Sequence, residues 1–118
     1  MSNLQYLSVS DAENFISQAL VSVQVPAADA KLIGQLMVKS DLVGADGHGI
    51  FRLPAYLKRI RAGGVNLRPN IRVEREQGAT ALIHGDNGLG HLVMNKAVEV
   101  AIQKVKEHSV CWVGSHYG

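Results

Sequence analysis

His48 stands between Gly47 and Gly49 in the stretch DLVGADGHGIFRLPAY, and Arg52 follows four residues later. Glycines on both sides remove side chains that would cover the imidazole, and they admit backbone geometries that other residues avoid, so a ligand can come close. A histidine and an arginine together suit a small oxoacid. The guanidinium grips the carboxylate as a fork, and the imidazole gives or takes a proton at the carbonyl or hydroxyl oxygen. If the backbone is already helical from Gly49, the spacing of four puts both side chains on one face. Asp46 stands where it could orient the imidazole or equally cap the helix. By spacing alone, a turn histidine beside an exposed arginine is the commoner meaning of such a pattern.

Other motifs compete for attention. GDNGLGH, Gly85 to His91, is glycine-rich and precedes a helix, as anion-binding loops do. It lacks the lysine and hydroxyl residue of a P-loop, and its glycine spacing does not fit the dinucleotide fingerprint, so a tight turn into the helix is the favoured reading. His116 follows an apolar stretch and is bracketed by Ser115 and Tyr117. A strand end aims a side chain into a crevice, although a histidine so near the last residue is more often frayed. His84, His91 and His108 receive no role. No histidine pair has a metal-ligand spacing such as HExxH, and a single cysteine leaves no cysteine pair, so the expected metal content is none.

These groups need elements to hold them. The 118 residues are near the size of one small domain, with 47% hydrophobic and 19% charged residues, ordinary values for a soluble globular chain. A net charge of +2 with basic residues spread along the chain gives no sign of a nucleic-acid partner, and no apolar run approaches a membrane span. The densest basic run, Lys58, Arg59 and Arg61, reads as a solvated helix face. The lone Cys111, between Val110 and Trp112, reads as a buried thiol, and the lack of disulfides and of a leader pattern makes the cytoplasm the default.

Ser10 with Glu13 reads as a capping box that opens a first helix, ended before Pro26. Its stripe includes Phe15, Ile16, Ala19 and Leu20. A second helix is expected from about Ala27 to Val43, stopped by Gly44. A third carries Pro54 in its first turn and ends at Gly63 and Gly64. NIRVEREQGATALIHGD reads as a β-hairpin around Gln77 and Gly78, and NGLG opens a long helix striped by Val93 or Met94, Ala97, Val98, Ala101, Ile102 and Val105. VCWVG closes the series as a short buried strand. The class is α+β: a helical part over about 1–65, then hairpin, helix and strand over about 66–118, as a single segment. A sheet this small leaves a hydrophobic edge, which calls for oligomerisation or further chain.

Taken together, DLVGADGHGIFRLPAYLKRIRAGGVN, ATALIHGDNGLGHLVMNKAVEVAIQKVKEHSV and SHYG resemble the malate/L-lactate dehydrogenase family of NAD(P)-dependent oxidoreductases. That family is distinct from the classical lactate and malate dehydrogenases and includes ureidoglycolate, sulfolactate and diketogulonate oxidoreductases. The resemblance covers the family's N-terminal portion. It implies a partial domain of a larger, non-Rossmann fold, and hydride transfer between NAD or NADP and C2 of a small 2-hydroxy or 2-oxo acid. His48 then matches an acid/base histidine near the substrate, Arg52 a carboxylate-binding arginine, and His116 a second acid/base and substrate-pocket histidine. Members typically pair as homodimers. Two departures stand out: Gly47 occupies the place of a serine, and the step from CWVG to His116 is shorter than in the family. The expected outcome is a segment inactive by itself. The alternative is a non-catalytic oligomerisation or interaction module that keeps a small-anion site.

Overall fold

The computed structural model describes residues 4–118. The chain divides into two compact units, Met1–Ala62 and Gly63–Gly118.

The first unit is helical. Helix α1 spans Val9–Ser22, α2 spans Ala27–Leu42, and α3 spans Leu53–Arg61; two short 3-10 turns, Asp46–His48 and Ile50–Arg52, lie between α2 and α3. The start of α1 differs from the capping-box reading. Ser8, not Ser10, is the N-cap, and its Oγ accepts from the N–H of Asp11 at 3.1 Å. Ser8 is extended, as an N-cap must be, while Ser10 is already inside the helix. Pro26 opens α2 as expected, and Gly44, at φ +80, ends it by taking the left-handed conformation that glycine adopts without strain. Ile16, Leu20, Val25, Ala30, Ile33, Met37, Val38, Leu53 and Ile60 are the buried apolar residues of this unit. Helices α1 and α2 meet closely at Gly34, where a Cβ would come within 2.9 Å of the Glu13 carbonyl oxygen. Phe15, part of the expected stripe, is exposed instead. Pro54 sits in the first turn of α3, and Lys58, Arg59 and Arg61 are exposed in its last turns, where cations complement the helix dipole.

The second unit is a three-stranded sheet with one long helix. Strands β1 (Arg72–Gln77) and β2 (Thr80–His84) form the expected antiparallel hairpin, with Gly78 at φ +53 in its two-residue link. Helix α4 (Gly90–His108) then carries the chain over to β3 (Trp112–His116), which lies parallel to β2. The sheet order is β1-β2-β3. Alternation along β2 buries Ala81 and Ile83, and Ile83 packs with Val93 and Ala97 of α4. Lys104 of α4 ties the hairpin down, donating to the Gly78 carbonyl at 2.9 Å and pairing with Glu76 at 3.2 Å.

The burial expected of this unit is incomplete. Strand β3 is not buried: it is an edge strand, and Trp112 is 77% exposed. Cys111 is half-buried, its thiol directed to the Ala101 carbonyl at 3.5 Å. The stripe of α4 is likewise only partly covered, because Val93 and Ala97 are buried while Met94, Val98, Ile102 and Val105 stay exposed. Three strands cover one side of a helix, and a stripe this wide needs more surface than they supply.

Candidate functional site

The turn carrying His48 is built around an aspartate that spacing did not single out. Asp41, in the last turn of α2, reaches back so that its Oδ2 accepts from the N–H of Ile50 at 2.9 Å. Gly49 is buried directly beneath it, and a Cβ there would lie 1.9 Å from Asp41 Oδ1. Glycine at 49 leaves room for the carboxylate, which a Cβ would displace, while its own backbone is an ordinary one for any residue (φ −93, ψ −151). Backbone bonds from the N–H of His48 to Ala45 O at 2.9 Å and from the N–H of Arg52 to Gly49 O at 3.0 Å complete the turn.

This geometry corrects the helical-face reading of His48 and Arg52. The extended Gly49 separates two 3-10 turns, so the backbone between the two residues is not one α-helix and the spacing-of-four rule does not apply. The two residues still share one short turn, and both are exposed. Among the described residues the His48 ring makes no hydrogen bond, and the Asp46 carboxylate is not its partner. Asp46 contributes its backbone carbonyl, which accepts from the N–H of Gly49 at 3.2 Å. The guanidinium of Arg52 lies over the Tyr56 ring, 5.9 Å from its centroid, within cation–π range. Tyr56 is one turn further along α3, a spacing the sequence does contain.

His116 belongs to the second unit. It is not frayed: it lies in β3 directly opposite His84 of β2. Its ring sits 5.0 Å from the His84 ring in an edge-on arrangement and 4.5 Å from the Tyr117 ring. Its Nε2, a buried atom, lies 2.7 Å from Oε2 of Glu74, an ion pair when the imidazole is protonated. Glu74 arrives there because the β1-β2 register shifts between Val73 and Arg75, a bulge that re-aims the side chain on the extra residue. Glu74 and His84 were passed over in the sequence because strand pairing, not spacing, brings them to His116. The alternation of His84 with buried Ile83 was the one signal that it faces away from α4.

The GDNGLG loop is a structural turn. The N–H groups of Gly85, Asp86, Asn87 and Gly88 go respectively to His116 O at 2.8 Å, His84 Nδ1 at 3.0 Å, Tyr117 O at 2.7 Å and Gly85 O at 2.9 Å. These four donors are engaged internally, as in a tight turn leading into α4. The Asp86 carboxylate further accepts from the Asn70 N–H at 2.9 Å and from the Asn66 side chain at 3.1 Å, which locks the loop to the segment before β1. Gly85 is needed by close approach, since a Cβ there would lie 2.5 Å from Tyr117 O.

Helices leading to an Asp-clamped histidine turn, followed by a hairpin, a crossover helix and a parallel strand, define an α+β segment that is not of Rossmann type. The malate/L-lactate dehydrogenase family profile matches residues 7–117, and the chain belongs to that family. It is 42% identical over 109 residues to a malate dehydrogenase of Pyrococcus horikoshii, covering 89% of this chain and 30% of that protein. The solved structure of the sulfolactate dehydrogenase from Methanocaldococcus jannaschii superposes with a TM-score of 0.85 at 37% identity, covering 97% of this chain and 34% of that one. A ureidoglycolate dehydrogenase (NAD(+)) of Escherichia coli O157:H7 is 28% identical over 108 residues, 92% of this chain and 31% of that protein. The chain thus spans about a third of the length of these relatives. No helix among the described residues is long and apolar enough to cross a membrane.

Proposed function

We propose that this chain supplies the substrate-facing turn of an NAD(P)-dependent dehydrogenase acting on a small 2-hydroxy or 2-oxo acid. The observation that carries the reading is the turn itself, an exposed histidine with no hydrogen bond among the described residues beside an exposed arginine, held by Asp41. In the direction of reduction, Arg52 binds the acid's carboxylate through two parallel N–H donors, which fixes the C2 carbonyl in place. His48 delivers a proton to the carbonyl oxygen as that oxygen becomes a hydroxyl, and it takes the proton back in oxidation. Bound nicotinamide, NAD or NADP, is the hydride donor to C2 or its acceptor. His116 is the second acid/base group of the proposal. The relatives' names, malate, sulfolactate and ureidoglycolate dehydrogenase, support the substrate class, and the last supports NAD. A homodimer working in the cytoplasm completes the proposal.

Because the chain spans only a third of those relatives, the 118 residues alone are expected to bind the acid without turning it over. Calorimetric titration with oxalate or pyruvate, with Arg52→Ala in parallel, checks the binding; equal affinity in both proteins would sink the assignment. A steady-state assay with NADH or NADPH and a panel of 2-oxo acids checks the second half, where robust turnover by the isolated chain refutes it. The partly uncovered stripe of α4 favours a second reading, an association module that retains the anion site. Saturable acid binding with no change of oligomeric state on dilution counts against that one.

A further inference from the structure

Strand pairing in the second unit sets a carboxylate against one of the two acid/base groups. We propose that Glu74 is a positioning residue for His116: its carboxylate keeps the ring proton on Nε2 and leaves Nδ1 as the nitrogen that exchanges a proton with the acid. The inference rests on the reading of His116 as an acid/base group and assigns the atom through which it works.

The backbone brings the pair together. His116 is the partner of His84 across the parallel pair, and His84 alternates with Ile83, which is buried against α4, so both imidazoles stand on the opposite face of the sheet. On β1, Val73 lies opposite Ile83, and Glu74 follows as the unpaired residue of the bulge. The bulge turns the Glu74 side chain to the face of the two imidazoles. Glu76, two residues on, pairs with Lys104 and ties the hairpin to α4. Glu74 instead meets an imidazole, whose charge depends on its protonation.

The distance decides where the ring proton sits. Nε2 of His116 is a buried atom 2.7 Å from Oε2 of Glu74, too close for a water to stand between them. A bare nitrogen there would set its lone pair against those of the carboxylate, whereas an N–H presents a positive end to them. The neutral ring therefore carries its proton on Nε2, and Nδ1 is the acceptor. When Nδ1 takes a second proton, the carboxylate beside the ring compensates the imidazolium charge, as in other charge-assisted pairs. Neighbouring rings restrict turning: His84 stands edge-on at 5.0 Å and Tyr117 is tilted at 4.5 Å. His84 is fixed in its own right, because its Nδ1 accepts the Asp86 N–H and its proton then belongs on Nε2.

NMR of the nitrogen-labelled 118-residue chain, in alkaline buffer that keeps imidazoles neutral and without any acid present, tests the assignment. The expected parent spectrum has a His116 proton on Nε2, protected from exchange with solvent, and an unprotonated Nδ1. Glu74→Gln retains an acceptor oxygen and should keep that proton in place. Glu74→Met removes the acceptor, and exchange of the Nε2 proton should rise by roughly tenfold or more. His84 is the folding reference, since its Nδ1 and the Asp86 amide stay unshifted in both variants; a purely structural Glu74 would disturb these and not the His116 proton alone. A parent chain with the His116 proton on Nδ1 overturns the proposal before any variant is made. So does a folded Glu74→Met whose Nε2 proton is as protected as the parent's. Oxalate titration keeps the two readings apart: failed acid binding with the His116 proton in place tells against the hydride-transfer reading, whereas a misplaced proton beside intact acid binding tells against Glu74.

Discussion

In the proposed function acid recognition turns on Arg52, and the neighbouring Tyr56 ring bears on how well that side chain holds the acid. Its planar fork holds a carboxylate by two bonds, which a lysine cannot reproduce even with the charge retained. Arg52→Lys is therefore expected to weaken oxalate binding severalfold, and Arg52→Ala by more than tenfold, both by calorimetry. The Tyr56 ring beneath the guanidinium contributes about 0.5–1 kcal/mol at an exposed position, so Tyr56→Leu should cost roughly twofold to fivefold in affinity with no loss of fold. His48 and Arg52 were legible because the chemistry of their side chains and the flanking glycines are visible in a single line of text. Asp41 was not, because its hydrogen bond to Ile50 spans nine residues and depends on how α2 ends.

Elements show where local signals mislead. Two serines at the start of α1 each precede an acidic residue by three positions, and the stronger textual match, Ser10 with Glu13, lost to Ser8 with Asp11. The Ser8 side chain caps the Asp11 N–H, so Ser8→Ala should cost about 1 kcal/mol of stability and Ser10→Ala little, measured by thermal unfolding. At the other end of this unit, Gly49→Ala forces Asp41 off the Ile50 N–H. Losing that hydrogen bond and leaving the donor partly buried is expected to cost about 1–3 kcal/mol, with a matching drop in acid affinity as the turn loosens. A variant as stable as the parent and unchanged in binding would show that the clamp is dispensable. The hairpin and the long helix were read correctly because alternation and helical spacing are local properties. Strand β3 was misread as buried, since an apolar run says that a strand can be covered and not that anything covers it.

For the molecule as a whole, the uncovered apolar surface is the main consequence. Val98 and Ile102 are 51% and 48% exposed on one side of α4, in line with Met94, and Trp112 stands out on the edge strand. Surface of this kind associates. The chain is expected to show concentration-dependent sedimentation, and Val98→Lys with Ile102→Lys should shift it toward monomer while leaving oxalate binding intact. Unchanged sedimentation of the double variant would place the contact elsewhere.

The sequence by itself determined the family, the helical and strand periods, the glycine-flanked histidine and its arginine, because each is written in residues close together along the chain. Only the tertiary structure decided that Asp41 clamps the turn, that Gly49 interrupts the helix between His48 and Arg52, and that Glu74, His84 and His116 meet. Those relations depend on strand register, on a bulge and on the end of a helix. They are set by packing and hydrogen bonding between segments distant in sequence, and no spacing along the chain encodes them.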